Sequence, residues 1–166
     1  MGVLYTVMPP SHEVADWLHE SGIPVSVDTS SRGPSIPEIR ETLNSLEGFS
    51  VEYNDNGIDS PWQAMVTSIV APDSGGWTLL NISSRAEPEE PQEIWFEKGH
   101  PELIVEIVCR LTMRCGTLIL IPDTGCPPLV IAPGGHPEKL CAQWKHINPN
   151  GLQAASEQPL PAALFR

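Results

Sequence analysis

Apolar residues recur along the chain at two different spacings, which predict the helices and the strands. Recurrence about every 3.6 residues predicts helices, and alternation with a period of two predicts half-buried strands. The helical segments lie between Ser11 and Gly22, between Ser35 and Gly48, from His100 to about Arg114, and from Pro137 to His146. The strand segments are residues 3–8, 49–54, 62–70, 76–83, 94–96, 118–121 and 129–131.

The second helix has the clearest signals at its two ends. Ser35 and Glu38 have the spacing of a capping box, in which each side chain satisfies a backbone N–H of the other residue. Pro37 fits the first turn, and Gly48 is a typical stop. In the first helix, Val14, Trp17 and Leu18 fall at helical spacing.

The order of these elements predicts one α+β domain over residues 1–150. Strands joined by hairpin-length links favour a mostly antiparallel sheet with three to four helices packed on it. Residues 151–166 are predicted to be a loosely held C-terminal tail, since chain ends are ordered only where they dock. The three-residue strand at 129–131 has prolines on both sides, which predicts a position near a sheet edge.

The net charge of the chain indicates which class of partner it binds and says little about the fold. The 166 residues include 21 Asp and Glu against 9 Lys and Arg, a formal net charge of -12. Such a field repels nucleic acid and anionic membranes and favours partners with a basic surface. The start of the chain lacks a basic, apolar signal segment, and no run of apolar residues is long enough to cross a membrane. We therefore expect a cytoplasmic protein, with its four cysteines reduced.

Two segments carry residues that could do chemistry. Asp123-Thr124-Gly125 follows an apolar strand, as in aspartic proteases, where two such carboxylates share a proton. One copy would require a dimer, and the alternative is a hairpin turn. Cys141 lies near His136 and His146 in a predicted helix, which is the second candidate for a hydrolase.

The sequence predicts neither a metal nor another cofactor. No two cysteines have a zinc-ligand spacing, and the oxygen-rich segment 54–59 lacks the closing glutamate of a calcium loop.

Acidic residues gather in two stretches, 41–84 and 86–97, that contain no Lys or Arg. Tryptophans are interleaved with them, and aromatic residues beside acids are typical of surfaces that bind basic proteins. The predicted partner surface consists of Glu52, Asp55, Asp59, Trp62, Glu87, Glu89, Glu90 and Glu93. The alternative is a solvated acidic face with the tryptophans in the core.

A helix followed by the hairpin CGTLILIPDTGCPPLVI, in a small acidic chain with acid-rich strands, resembles bacterial immunity proteins that neutralise a cognate toxin. The resemblance covers residues 35–135 and concerns size, charge and element order, so no site residue is carried over. It implies stoichiometric inhibition of a basic-surfaced toxin or effector. This interpretation favours a binding protein over an enzyme. The alternatives are a hydrolase centred on Asp123 or Cys141, and a structural or adaptor subunit that forms homo-oligomers.

Overall fold

The computed structural model describes residues 3–54, 62–70, 76–83 and 87–147. Asp55, Asp59 and the predicted tail at 151–166 lie outside these ranges. Within them, four helices and seven strands follow one another along the chain: β1 (Leu4–Met8), α1 (His12–Glu20), α2 (Ile36–Asn44), β2 (Phe49–Asn54), β3 (Trp62–Ser68), β4 (Trp77–Ile82), β5 (Ile94–Glu97), α3 (Pro101–Cys115), β6 (Leu118–Pro122), β7 (Leu129–Ile131) and α4 (Pro137–Ile147). The predicted elements are therefore all present, with ends that differ by at most three residues.

The seven strands form one antiparallel sheet in the order β2-β3-β4-β5-β1-β6-β7. Strands β2 to β5 are successive neighbours, and β1 lies between β5 and β6. Strand β7 ends the sheet, as its flanking prolines predict. The prediction of a single α+β domain with a mostly antiparallel sheet is confirmed.

One face of the sheet carries the helices and the main core. Alternation along the strands turns Tyr5, Leu80, Phe96 and Leu120 to this face, where all four are fully buried. Helix α3 packs between α2 and α4 and contacts β4, β6 and β7. Ten of its 15 residues are buried, because it crosses the middle of the sheet with neighbours on both sides.

The opposite face, called the outer face here, carries the alternate strand residues. These include Leu4, Thr6 and Met8 of β1 and Trp95 and Glu97 of β5, which the strand registers place side by side. On β3 and β4 the outer face carries a small cluster of buried hydrophobic residues, Met65, Trp77 and Leu79. Over β1 and β5 it is only partly covered, and Met8 is 38% exposed.

The capping box predicted for α2 is confirmed. The Ser35 hydroxyl accepts a hydrogen bond from the Glu38 backbone N–H, and the Glu38 carboxylate accepts one from the Ser35 backbone N–H. Arg32 donates two further bonds to the same carboxylate, at 2.6 and 2.8 Å. These bonds from Arg32 lower the pKa of Glu38 to about 2.

Candidate functional site

A groove of about 630 Å³ lies between the outer face of β1 and β5, the first turn of α1 and the segment 91–93. Its floor and walls are mainly apolar, and two carboxylates lie among them. We call it the acidic groove and define it by its lining residues: Leu4, Thr6, Val7, Met8, Pro9, Ser11, Glu13, Val14, Gly33, Pro91, Gln92, Glu93, Ile94 and Trp95.

The turn between β1 and α1 forms one wall of the groove. Its backbone is fixed because the Ser11 N–H donates to the Pro9 carbonyl at 2.9 Å. Ser11 also caps α1, since its hydroxyl accepts from the Val14 N–H at 3.3 Å. The cap places Glu13 in the first helical turn, where the helix dipole favours a negative charge.

The end of the acid-rich loop 87–93, residues 91–93, forms the other wall, and hydrogen bonds hold the loop in place. The Gln92 side-chain amide donates to the carbonyls of Glu87 and Glu90, at 2.7 and 3.1 Å. Its backbone N–H donates to the Pro34 carbonyl at 2.8 Å. A Cβ on Gly33 would lie 2.4 Å from the Gln92 carbonyl oxygen, so only glycine fits there. The loop is thus closely attached to the segment before α2.

One polar atom of this wall has no hydrogen-bond partner in the part of the chain that the structure describes. Gln92 is 4% exposed, and both of its amide hydrogens are used by the loop carbonyls. Its Oε1 is buried and accepts no hydrogen bond from the described residues. A buried acceptor left without a donor costs about 1–3 kcal/mol. A residue of the groove lining therefore contains a buried acceptor that the described residues leave unpaired.

The groove is acidic in both its lining and its surroundings. Glu13 and Glu93 are part of the lining, and Glu87, Glu89 and Glu90 are exposed on the adjoining loop. The described residues that line it include no Lys, Arg or His. Its carboxylates therefore lack a cationic neighbour within the lining itself.

A row of side-chain amides on the outer face leads to the aromatic part of the groove. Asn54 donates to Gln63 at 3.3 Å, and Gln63 donates to Asn81 at 2.8 Å. The strand registers place Asn81 opposite Trp95 and Trp95 opposite Thr6. The amide row therefore extends from the edge strand β2 to the strand beside Trp95.

The structure brings together part of the partner surface predicted from sequence. The loop that carries Glu87, Glu89, Glu90 and Glu93 borders the groove. Glu52 is exposed on the outer face of β2, three strand spacings or about 14 Å from β5. Asp55 and Asp59 lie outside the described residues, so their placement on this surface stays a prediction.

Trp62, which the sequence places on the partner surface, lies instead on the helix-covered face. It is 5% exposed and packs against Tyr53, with ring centroids 5.4 Å apart. Arg40 lies over both rings, 4.4 Å from the centroid of Tyr53 and 5.2 Å from that of Trp62. The interleaving of acids and tryptophans along the sequence does not show which face of the sheet a tryptophan lies on, because neighbouring strand residues point to opposite faces.

Glu13 of α1 is a groove residue that sequence reasoning missed, and Trp17 is an exposed aromatic residue further along the same helix. Trp17 is 45% exposed, and the buried residues of α1 are Ala15 and Leu18. Glu13 and Trp17 are four residues apart and so lie on the same side of the helix. The sequence did contain a signal for this exposure. Glu13, Asp16 and Glu20 lie around Trp17 on one side of the helix and indicate that this side is exposed.

Asp123, the candidate protease residue, has a structural role in the hairpin turn. Its Oδ1 accepts from the Leu4 N–H at 3.0 Å, and its own N–H donates to the Leu4 carbonyl at 2.9 Å. These two bonds continue the pairing of β1 with β6 beyond Pro122. The carboxylate therefore already serves as a backbone acceptor.

The Cys141 thiol lacks the environment of a nucleophile. It is 6% exposed, and burial, with Glu102 nearby, raises its pKa to about 12. Burial likewise raises the pKa values of Cys109 and Cys115 to about 11. A reactive cysteine needs a lowered pKa and solvent access. These three thiols are protonated at neutral pH.

Within the described part of the chain, no group of three or more His, Cys, Asp or Glu residues could hold a metal ion. The described helices are also too short or too polar to cross a membrane.

A scan against protein-family models matches none of them. Searches of curated proteins and of solved structures find no match either. Function is therefore inferred from the groove itself.

Proposed function

We propose that this chain is a cytoplasmic binding protein that captures a protein with a basic surface. The observation that carries this proposal is the acidic groove, where apolar walls, the aromatic ring of Trp95 and two carboxylates occur without a basic residue among the described residues of the lining. The function it supports best is stoichiometric inhibition of a toxin or effector, as in the immunity proteins that the sequence resembles.

The chemistry of the groove suits protein capture in two ways. Apolar and aromatic residues supply the area that holds a partner in place, since a few such anchors carry most of the binding energy. Exposed carboxylates act at a distance and increase the rate at which a basic partner arrives. The loop 87–93 carries four of these carboxylates beside the groove.

The two enzyme alternatives have less support in the same residues. Asp123 is engaged by the Leu4 backbone, and Cys141 is a buried thiol of raised pKa. A hydrolase would need one of them free to act on a substrate.

The adaptor alternative uses the apolar hairpin β6–β7 to associate with other copies. Leu118, Leu120, Leu129 and Ile131 of that hairpin are buried against the helices. The residues most suited to such contacts are therefore already in the core, which favours capture of a different protein.

The test is capture of a partner by three matched forms of the chain from lysate of the native host. These are wild type, Glu90→Gln with Glu93→Gln, and the control Glu47→Gln with Glu138→Gln, in which two exposed acids distant in sequence lose the same charge. We expect a basic protein that binds wild type and the control at one-to-one stoichiometry, loses affinity for the groove variant, and is inhibited when bound. A basic partner that binds all three forms equally, or whose activity is unchanged in the complex, would contradict the proposal.

A further inference from the structure

We infer that the acidic groove receives an arginine side chain of the partner protein. This inference rests on the proposed binding function and adds the chemical group that the groove recognises. It follows from three features of the lining, namely its hydrogen-bond acceptors, its aromatic surface and its size.

The groove offers charged and neutral hydrogen-bond acceptors. Glu13 and Glu93 are carboxylates, and the Gln92 Oε1 accepts no hydrogen bond from the described residues while both of its amide hydrogens are bonded within the loop. A guanidinium has five N–H donors and no acceptor, so it complements such a set.

The aromatic part of the groove favours arginine over lysine. Trp95 is half-buried, with Leu4, Thr6 and Met8 in the same lining. Guanidinium is planar and weakly hydrated and stacks on aromatic rings, whereas ammonium keeps its water strongly. The chain itself contains this arrangement at Arg40, whose guanidinium lies over Tyr53 and Trp62 on the other face of the sheet.

The groove has room for more than one arginine side chain, and the proposed function is what makes that arginine part of a protein. Sites for small ligands span about 300–1,000 Å³, and a volume of about 630 Å³ exceeds that of one side chain. The remaining volume leaves space for the residues on either side of the arginine. A partner segment with arginine between small or apolar residues fits this shape.

Two peptides that differ in one residue test the inference by NMR. The probes are acetyl-Gly-Ala-Arg-Ala-Gly-amide and the same peptide with Lys in place of Arg, each titrated into the ¹⁵N-labelled full chain. The chain has five tryptophan indole N–H groups, and Trp95→Phe assigns the signal of Trp95. We expect the arginine peptide to shift that signal and to bind at least about threefold more tightly than the lysine peptide.

Variants of the chain show where the peptide binds. Glu93→Gln is expected to weaken the arginine peptide by about threefold, since it removes one charged acceptor at a solvent-exposed position. Glu138→Gln, at an exposed acid on α4, is the control and should leave the affinity unchanged.

Equal affinity for the two peptides would overturn the arginine inference while leaving capture of a basic protein intact. An arginine peptide that leaves the Trp95 signal unmoved would also overturn it. Failure of the proposed function has a different signature, because no basic protein would then be captured and inhibited in a groove-dependent manner.

Discussion

At the scale of single residues, the side chain of Asp123 joins two strands through its bond with the Leu4 N–H. Asparagine has the same acceptor at the same position, so Asp123→Asn should change the free energy of unfolding by less than about 0.5 kcal/mol. Asp123→Ala removes the acceptor and should cost about 0.5–1.5 kcal/mol. Urea unfolding of both variants measures the difference. A large loss in Asp123→Asn would show that the charge matters and not the hydrogen bond.

The thiols give a second prediction at this scale. Burial raises the pKa values of Cys109 and Cys115 to about 11 and that of Cys141 to about 12. Thiolate is the reactive form, so at pH 8 these residues should react with a thiol reagent about a hundredfold more slowly than in denaturant. Cys126 is half-buried and should be labelled first. Labelling of Cys141 at the rate of a free peptide thiol would instead restore the thiol-hydrolase interpretation.

At the scale of elements, the first turn of α2 depends on the pair formed by Arg32 and Glu38. Because hydrogen bonds from Arg32 lower the pKa of Glu38 to about 2, the folded state favours the carboxylate over the acid. The stability from this pair is fully present above about pH 5. It is lost as the pH falls from the ordinary carboxyl value, 4.5, to about 2.

Glu38→Gln isolates this charge, since glutamine can still accept from the Ser35 N–H in the capping box. At pH 7 the variant should be less stable by about 1–2 kcal/mol, a modest figure because the Arg32 side chain is 41% exposed. Urea unfolding of both proteins from pH 7 to pH 2 should show the difference shrinking towards zero. A difference that stays constant with pH would contradict the assignment to the charged pair.

Elements whose signals are local could be predicted from the sequence. Ser35 and Glu38 defined the start of α2 because both capping bonds are made within four residues. The placement of Trp17 and Trp62 could not be predicted in the same way. A tryptophan at helical or strand spacing fits either a core or a surface, and only the packing of distant elements decides between them.

The groove likewise combines features that local sequence signals predict with features that depend on contacts between distant residues. The exposed acids of 87–93 could be recognised by charge and turn composition. The groove also needs β1 to pair with β5 and Gly33 to contact Gln92, and both contacts join residues far apart in the sequence. Glu13 was missed because its place in the same groove lining as Glu93 depends on those contacts.

At the scale of the whole molecule, the net charge of -12 acts on every approaching partner, while the groove concentrates part of it beside an apolar surface. General repulsion or attraction depends on the total charge, but steering to one surface depends on where the charges lie. Removing two acids beside the groove and two acids elsewhere changes the total equally, so the comparison separates these effects.

The most direct measurement is therefore the association rate of the captured partner with three forms of the chain, at low and high ionic strength. Glu90→Gln with Glu93→Gln should slow association by about fivefold at low salt, and the difference should largely disappear at high salt. Glu47→Gln with Glu138→Gln should associate nearly as fast as wild type. Equal rates for the two double variants at low salt would contradict the claim that the acidic groove is where the partner binds.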